Sequence, residues 1–145
     1  MFRCVITALA LIIFLPVAGA ENPGDDVEKT PLAKEMSAMN KAWRQIKKQA
    51  GDASQNAETV KLLDQVIENC EAAVDMIPVR SEEVSEDKRT AYIEAYKKEI
   101  KELTQQYESL RSLFEAGENE EAQGMIKKTD DLKKEGHKEF KPKDD

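Results

Sequence analysis

The sequence predicts an all-α protein, folded as an antiparallel four-helix bundle with up-down-up-down order. From residue 30 onward, apolar residues recur at alternating spacings of three and four, the period of one face of an α-helix. Four such stretches are joined by short polar connections, and the apolar spacing never stays at two, so no strand is predicted. Because the connections are short, successive helices must run antiparallel.

The first helix is predicted to begin at Thr30 and Pro31, since threonine caps helix N-termini and proline suits the first turn. Gly51 is predicted to stop it, after an apolar stripe of Leu32, Met36, Met39, Trp43, Ile46 and Ala50. The second helix is predicted to end at Pro78, after the stripe Val60, Leu63, Ile67, Cys70, Val74 and Ile77.

A polar loop at 79–87 leads to the third helix, which is predicted to end at Gly117 and has the stripe Ile93, Tyr96, Ile100, Leu103, Tyr107, Leu110 and Phe114. Asn119 is predicted to cap the fourth helix, whose stripe is Ala122, Met125, Ile126, Thr129, Leu132, Gly136 and Phe140. This last stripe is the least apolar of the four. A bundle with such a helix either packs loosely or packs on something else, and a large flat apolar cofactor would complete it.

The N-terminal residues 1–20 have the pattern of a cleaved secretory signal peptide. Arg3 is followed by an apolar run and by the small residues Ala18, Gly19 and Ala20, so we expect cleavage after Ala20. The alternative is an uncleaved anchor, but the apolar run is shorter than the roughly 20 residues of a membrane span. We therefore predict an exported chain with no membrane association after cleavage, divided into a flexible leader at 21–30, a bundle domain at 31–141 and a disordered tail at 142–145.

The charge balance and the single remaining cysteine exclude several classes of function. The 145 residues carry a net charge of −7, and loss of Arg3 would make the exported chain more negative. Such a chain lacks the basic face that nucleic acids and anionic membranes require. Cys70 alone cannot form an internal disulfide, so we expect a buried thiol and a monomer; the alternative is a dimer through an intermolecular disulfide at Cys70.

Enzymatic chemistry has few candidates, so we predict that the protein is not an enzyme. The sequence has no Ser-His-Asp arrangement, no phosphate-binding glycine loop and no C-x-x-C-H motif for covalent haem attachment. Its one histidine is His137. The up-down order places the end of the fourth helix level with the start of the first, where Met36 and Met39 lie.

The residues alone leave two interpretations of His137 open. It is either a partly exposed side chain with no ligand role, beside methionines that fill the core, or half of a cofactor site. Imidazole and thioether both suit haem iron, and a Met/His axial pair favours electron transfer.

Two segments carry a family resemblance. "LAKEMSAMNKAWRQI" at 32–46 and "EAGENEEAQGMIKKTDDLKKEGHKEFK" at 115–141 resemble the first and last helices of the cytochrome b562 family. Members of that family are periplasmic four-helix bundles that hold a non-covalent b-type haem. The resemblance implies that Met36 and His137 are the axial ligands, and it places around the macrocycle Met39, Trp43, Tyr96, Ile100, Leu103 and Lys133.

The chain departs from the family pattern at the pocket. Lys133 replaces an arginine, Tyr96 and Ile100 replace phenylalanines, and Gly136 replaces a bulky aromatic residue. The resemblance implies a soluble periplasmic protein that binds one haem b and passes single electrons to redox partner proteins that the sequence does not identify. The alternative is a haem-free helical bundle, a periplasmic binding or stress protein that has kept the family fold.

Overall fold

The structure, a computed structural model, describes residues 30–141. The predicted signal peptide at 1–20, the leader up to residue 29 and the tail at 142–145 lie outside the described residues. Within the described range the chain forms the predicted all-α four-helix bundle and contains no strand. The helices are α1 (Pro31–Gln49), α2 (Asn56–Ala73), α3 (Glu86–Ala116) and α4 (Asn119–Phe140), with short 3-10 helices at Ala53–Gln55 and Val79–Glu83.

Helix ends follow the predicted chemistry at two positions. The Thr30 hydroxyl accepts a hydrogen bond from the backbone N–H of Ala33 at 3.2 Å, and Pro31 occupies the first turn of α1. Gly117 ends α3 with φ of 77°, a left-handed conformation that glycine adopts without steric cost. Thr30 and Gly117 therefore fix where α1 begins and where α3 ends.

Asn119 has a different role from the predicted cap. Its side chain donates to the carbonyl of Ala50 at 3.0 Å, and it exchanges two hydrogen bonds of 2.9 Å with the side chain of Asn56. Asn56 also donates to the carbonyl of Phe114 at 3.2 Å. The two asparagines therefore join all four helices at the end of the bundle where α1 meets α2 and α3 meets α4.

The prediction that the second helix continues to Ile77 is wrong. Helix α2 ends at Ala73, and Ile77 is 64% exposed. Pro78 is the physical reason, because a helical proline would clash with the carbonyl of Val74 four residues earlier and disfavours helical conformation in Ile77. The chain leaves the helix early and buries Pro78 itself.

The core occupies the middle of the bundle and consists largely of the predicted stripes. Its largest fully buried side chains include Trp43, Tyr107, Phe114, Ile46, Leu63 and Leu110. The rings of Trp43 and Tyr107 meet edge to face with centroids 5.3 Å apart, a favourable aromatic arrangement. None of the helices in the described range combines the length and apolar character of a membrane span.

Candidate functional site

The seam between α1 and α4 is closed in one half and open in the other. The three sequential helix pairs pack closely, whereas the backbones of α1 and α4 stay farther apart. Midway along this seam, the Trp43 indole N–H donates to the Asp130 carboxylate at 2.6 Å, and Lys47 forms an ion pair with the same carboxylate at 2.8 Å. Towards the start of α1, the gap between the two helices widens into a cavity.

This cavity has a volume of about 630 Å³, within the range of about 300–1,000 Å³ that is usual for small-molecule sites. Its walls come from α1, α3 and α4, and the connection between α2 and α3 adds Pro78 and Val79 at the same end. Most of the lining is apolar. The up-down topology therefore brings the two ends of the domain to a single site, as the sequence predicts.

Most of the predicted site residues line this cavity: Met36, Met39, Tyr96, Ile100, Leu103, Lys133 and His137. Trp43 is not among the lining residues. It lies in the core, where it packs on Tyr107, and Tyr107 does line the cavity. Met36 and His137, from opposite ends of the described chain, thus line the same cavity. Trp43 contacts a lining residue, Tyr107, and does not line the cavity itself.

His137 is exposed at the cavity and lies in the last turns of α4. Its pKa is lowered from the ordinary value, first by partial burial and then by the positive charges of Lys133 and Lys141. Only a neutral imidazole can bind a metal ion. The surroundings of His137 therefore favour the ligating form at neutral pH.

The two methionines at the cavity have different surroundings. Met39 is buried, and its sulfur accepts a hydrogen bond from the Cys70 thiol at 3.2 Å. Met36 is half-buried and takes part in no hydrogen bond within the described part of the chain through its sulfur. Within the described residues, Met36 is thus the cavity methionine whose sulfur has no hydrogen-bond partner, and it is also the methionine that the family resemblance selects.

Lys133 lies between the cavity and the core. Its ammonium group donates to the Asn40 side chain at 3.0 Å and stands 5.4 Å from the centroid of the Trp43 ring. Burial lowers the pKa of Lys133 to about 8, against a smaller opposing effect of Asp130. This lysine is a partly buried cation at the edge of a largely apolar cavity, and its lowered pKa means that the charged form is less stable in the folded chain than in the unfolded chain.

Replacing Lys133 with methionine should stabilise the protein without any added ligand at pH 7 by about 1–2 kcal/mol, a value reduced for the exposed part of the side chain. In the folded chain Lys133 loses its proton near pH 8, whereas in the unfolded chain it does so near 10.5. Between these values the unfolded state binds more protons, so the penalty is full below pH 8 and fades as pH rises. Urea unfolding at several pH values would measure the difference.

The matched control is Lys134→Met, at an exposed lysine on the same helix, which should change stability by less than about 0.5 kcal/mol. Burial also raises the pKa values of Tyr96 and Tyr107, so these tyrosines change the free energy of unfolding at high pH. Their effect is the same in Lys133→Met and Lys134→Met, and it cancels when the two variants are compared. If the free energy of unfolding of Lys133→Met exceeded that of the wild-type protein by a constant amount from pH 7 to 10, the prediction would be contradicted.

Several polar residues at the cavity were not predicted as site residues, and two of them have an unpartnered polar atom. Glu99 and Tyr107 both line the cavity, and within residues 30–141 the Glu99 Oε1 atom and the Tyr107 hydroxyl are buried without a hydrogen-bond partner. Buried polar atoms normally have partners, so a water molecule or a ligand in the cavity is the expected partner of these two atoms. Helical spacing offered a signal, because Glu99 falls three residues after Tyr96 and shares its face of α3.

The residues present fit a haem. The imidazole of His137 on α4 and the thioether of Met36 on α1 line one cavity. The walls of this cavity are largely apolar, and Lys133 lies at its edge. This donor set suits haem iron, and the cavity also holds two orphaned polar atoms. Fold and site together define a helical-bundle protein with a largely apolar cavity between its first and last helices.

The model of the cytochrome b562 family matches residues 31–141, so the chain belongs to that family. The match spans the whole described bundle apart from Thr30. Cytochromes of this family are four-helix bundles that bind haem b and carry electrons rather than catalyse reactions. No curated protein and no solved structure matches the chain.

Proposed function

We propose that this protein is a periplasmic b-type cytochrome that binds one non-covalent haem b between Met36 and His137 and transfers single electrons. The observation that carries the proposal is the cavity between α1 and α4, which Met36 and His137 both line. Family membership supports the same cofactor. Haem, when bound, supplies an iron that changes its oxidation state by one electron.

The residues at the cavity have separate roles in this proposal. His137 and Met36 would fill both axial positions, which leaves no position for a substrate and so favours electron transfer over catalysis. The apolar side chains of Ile100 and Leu103 exclude water. Lys133 would meet a haem propionate as a point charge, without the two-pronged geometry of arginine.

The setting of the protein is part of the proposal. Export through the segment 1–20, with cleavage after Ala20, would place the bundle in the periplasm. Its acidic charge favours redox partner proteins over nucleic acid or anionic membrane as partners. We expect a monomer, because Cys70 is fully buried.

A haem titration tests the proposal. One haem b per chain is expected to bind, with absorbance spectra that differ between the oxidised and reduced forms. Binding should raise the melting temperature, because a ligand that binds only the folded state stabilises it, by about 2.7 kcal/mol at a free concentration 100 times the Kd. The reduced form should bind carbon monoxide slowly or not at all, since both axial positions are filled.

A colourless protein whose melting temperature does not respond to haem would contradict the proposal. That outcome would favour the haem-free helical-bundle protein as the function. An unrelated haem-free four-helix bundle serves as the control for non-specific haem binding.

A further inference from the structure

The inference concerns Glu99, a carboxylate that reaches into the haem cavity. Glu99 lies on α3 between the lining residues Tyr96 and Ile100, and its side chain crosses to α4 and covers Gly136. A Cβ atom added to Gly136 would clash with Glu99 Oε1. Because Gly136 has no side chain, it leaves the space that the Glu99 carboxylate occupies.

The charge of Glu99 is poorly compensated. Oε1 has no hydrogen-bond partner, and Glu99 takes part in none of the ion pairs formed within residues 30–141. Its pKa is raised, first by burial and then by the carboxylates of Glu139, Glu102 and Glu135. A partly buried carboxylate that forms no ion pair within residues 30–141 acts on a charge that enters the cavity more strongly than a fully solvated one does.

We propose that Glu99, admitted to the cavity by Gly136, lowers the reduction potential of the haem iron by stabilising its oxidised form. The inference rests on the proposed haem site. Ferric haem carries one more positive charge than ferrous haem, so a nearby carboxylate favours the ferric form. Burial and local charge are among the means by which proteins set haem potentials.

The test is the reduction potential of haem-loaded Glu99→Gln, measured by spectroelectrochemistry at pH 8. Glutamine keeps the shape of the side chain and removes its charge. The ratio of oxidised to reduced protein at a fixed potential should fall about tenfold, which for a one-electron couple is a rise in potential of about 59 mV. Haem affinity and the melting temperature of the loaded protein serve as separate readouts of structural damage.

The matched control is Glu102→Gln, which removes the same charge one turn along α3 at a position outside the cavity lining. It should move the potential much less. Gly136→Ala is a second, independent arm, because its methyl group should displace Glu99 and raise the potential in the wild-type background but not in a Glu99→Ala background.

An unchanged or lower potential in Glu99→Gln overturns the inference, as does an equal shift in Glu102→Gln, which would indicate a general charge effect. These results differ from failure of the proposed function. In that case wild-type protein binds no haem and has no iron potential to measure.

Discussion

Replacing His137 with alanine is expected to weaken haem binding by at least about 100-fold. Losing a residue that only supports a metal ligand typically costs 10–100-fold in affinity, and losing the ligand itself should cost more. No other histidine in the chain can replace it. Because His137 is exposed, the haem-free variant should keep its stability to within about 0.5 kcal/mol. Haem titration followed by absorbance measures the loss.

Added imidazole provides the control for this variant. The space left by His137→Ala opens to solvent, so free imidazole at millimolar concentration should enter it and restore part of the haem affinity and spectrum. Wild-type affinity in the variant without imidazole would show that His137 is not a ligand.

Carbon monoxide binding to the reduced, haem-loaded protein distinguishes Met36 from Met39 and Met125. Met36→Leu keeps the volume of the side chain but removes the thioether, so reduced protein should then bind carbon monoxide readily. Met39→Leu, at the sulfur engaged by Cys70, and Met125→Leu, outside the cavity lining, should bind it as slowly as wild-type protein. Rapid binding in Met39→Leu alone would assign the ligand role to Met39.

Replacing Trp43 with alanine is expected to lower the free energy of unfolding by about 3–5 kcal/mol, the usual cost of deleting a buried aromatic side chain. Trp43 is 1% exposed, packs on Tyr107 and donates its indole N–H to Asp130. Small domains are stable by only about 5–15 kcal/mol, so this variant should be close to unfolding. Trp43 is the only tryptophan, so urea unfolding must be followed by circular dichroism.

Trp43→Phe is the matched variant, since it keeps an aromatic ring and loses the indole N–H. It should cost about 1–3 kcal/mol, because Asp130 retains its ion pair with Lys47. Since Trp43 does not line the cavity, this variant should still bind haem. A loss below about 1 kcal/mol in Trp43→Ala would contradict the role of Trp43 in the core.

The bundle and the convergence of its two ends could be predicted because both follow from periodicity and short connections. Leu32 and Phe140 lie in apolar stripes, and the up-down order alone places Met36 and His137 at the same end. Family resemblance then selected Met36 over Met39. In the structure the two methionines differ in that the sulfur of Met39 accepts a hydrogen bond from Cys70, and the choice of Met36 as ligand stays a prediction.

The remaining features depend on pairs of residues from different helices, which periodicity does not encode. Asn119 has the sequence position of a cap, yet its partners are Ala50 and Asn56. Glu99 matters only because Gly136 lies opposite, and neither position indicates the other in the sequence. Tyr107 fits its stripe, but nothing in the stripe shows that its hydroxyl lacks a partner.

The burial of Cys70 determines how the protein behaves in an oxidising compartment. The thiol has no exposed surface, and burial raises its pKa to about 11, so almost no thiolate forms at neutral pH. Thiol–disulfide exchange requires a thiolate with access to its partner. In the folded chain the Cys70 thiol is therefore protected from thiol–disulfide exchange, and a disulfide between two copies through Cys70 requires the bundle to unfold first.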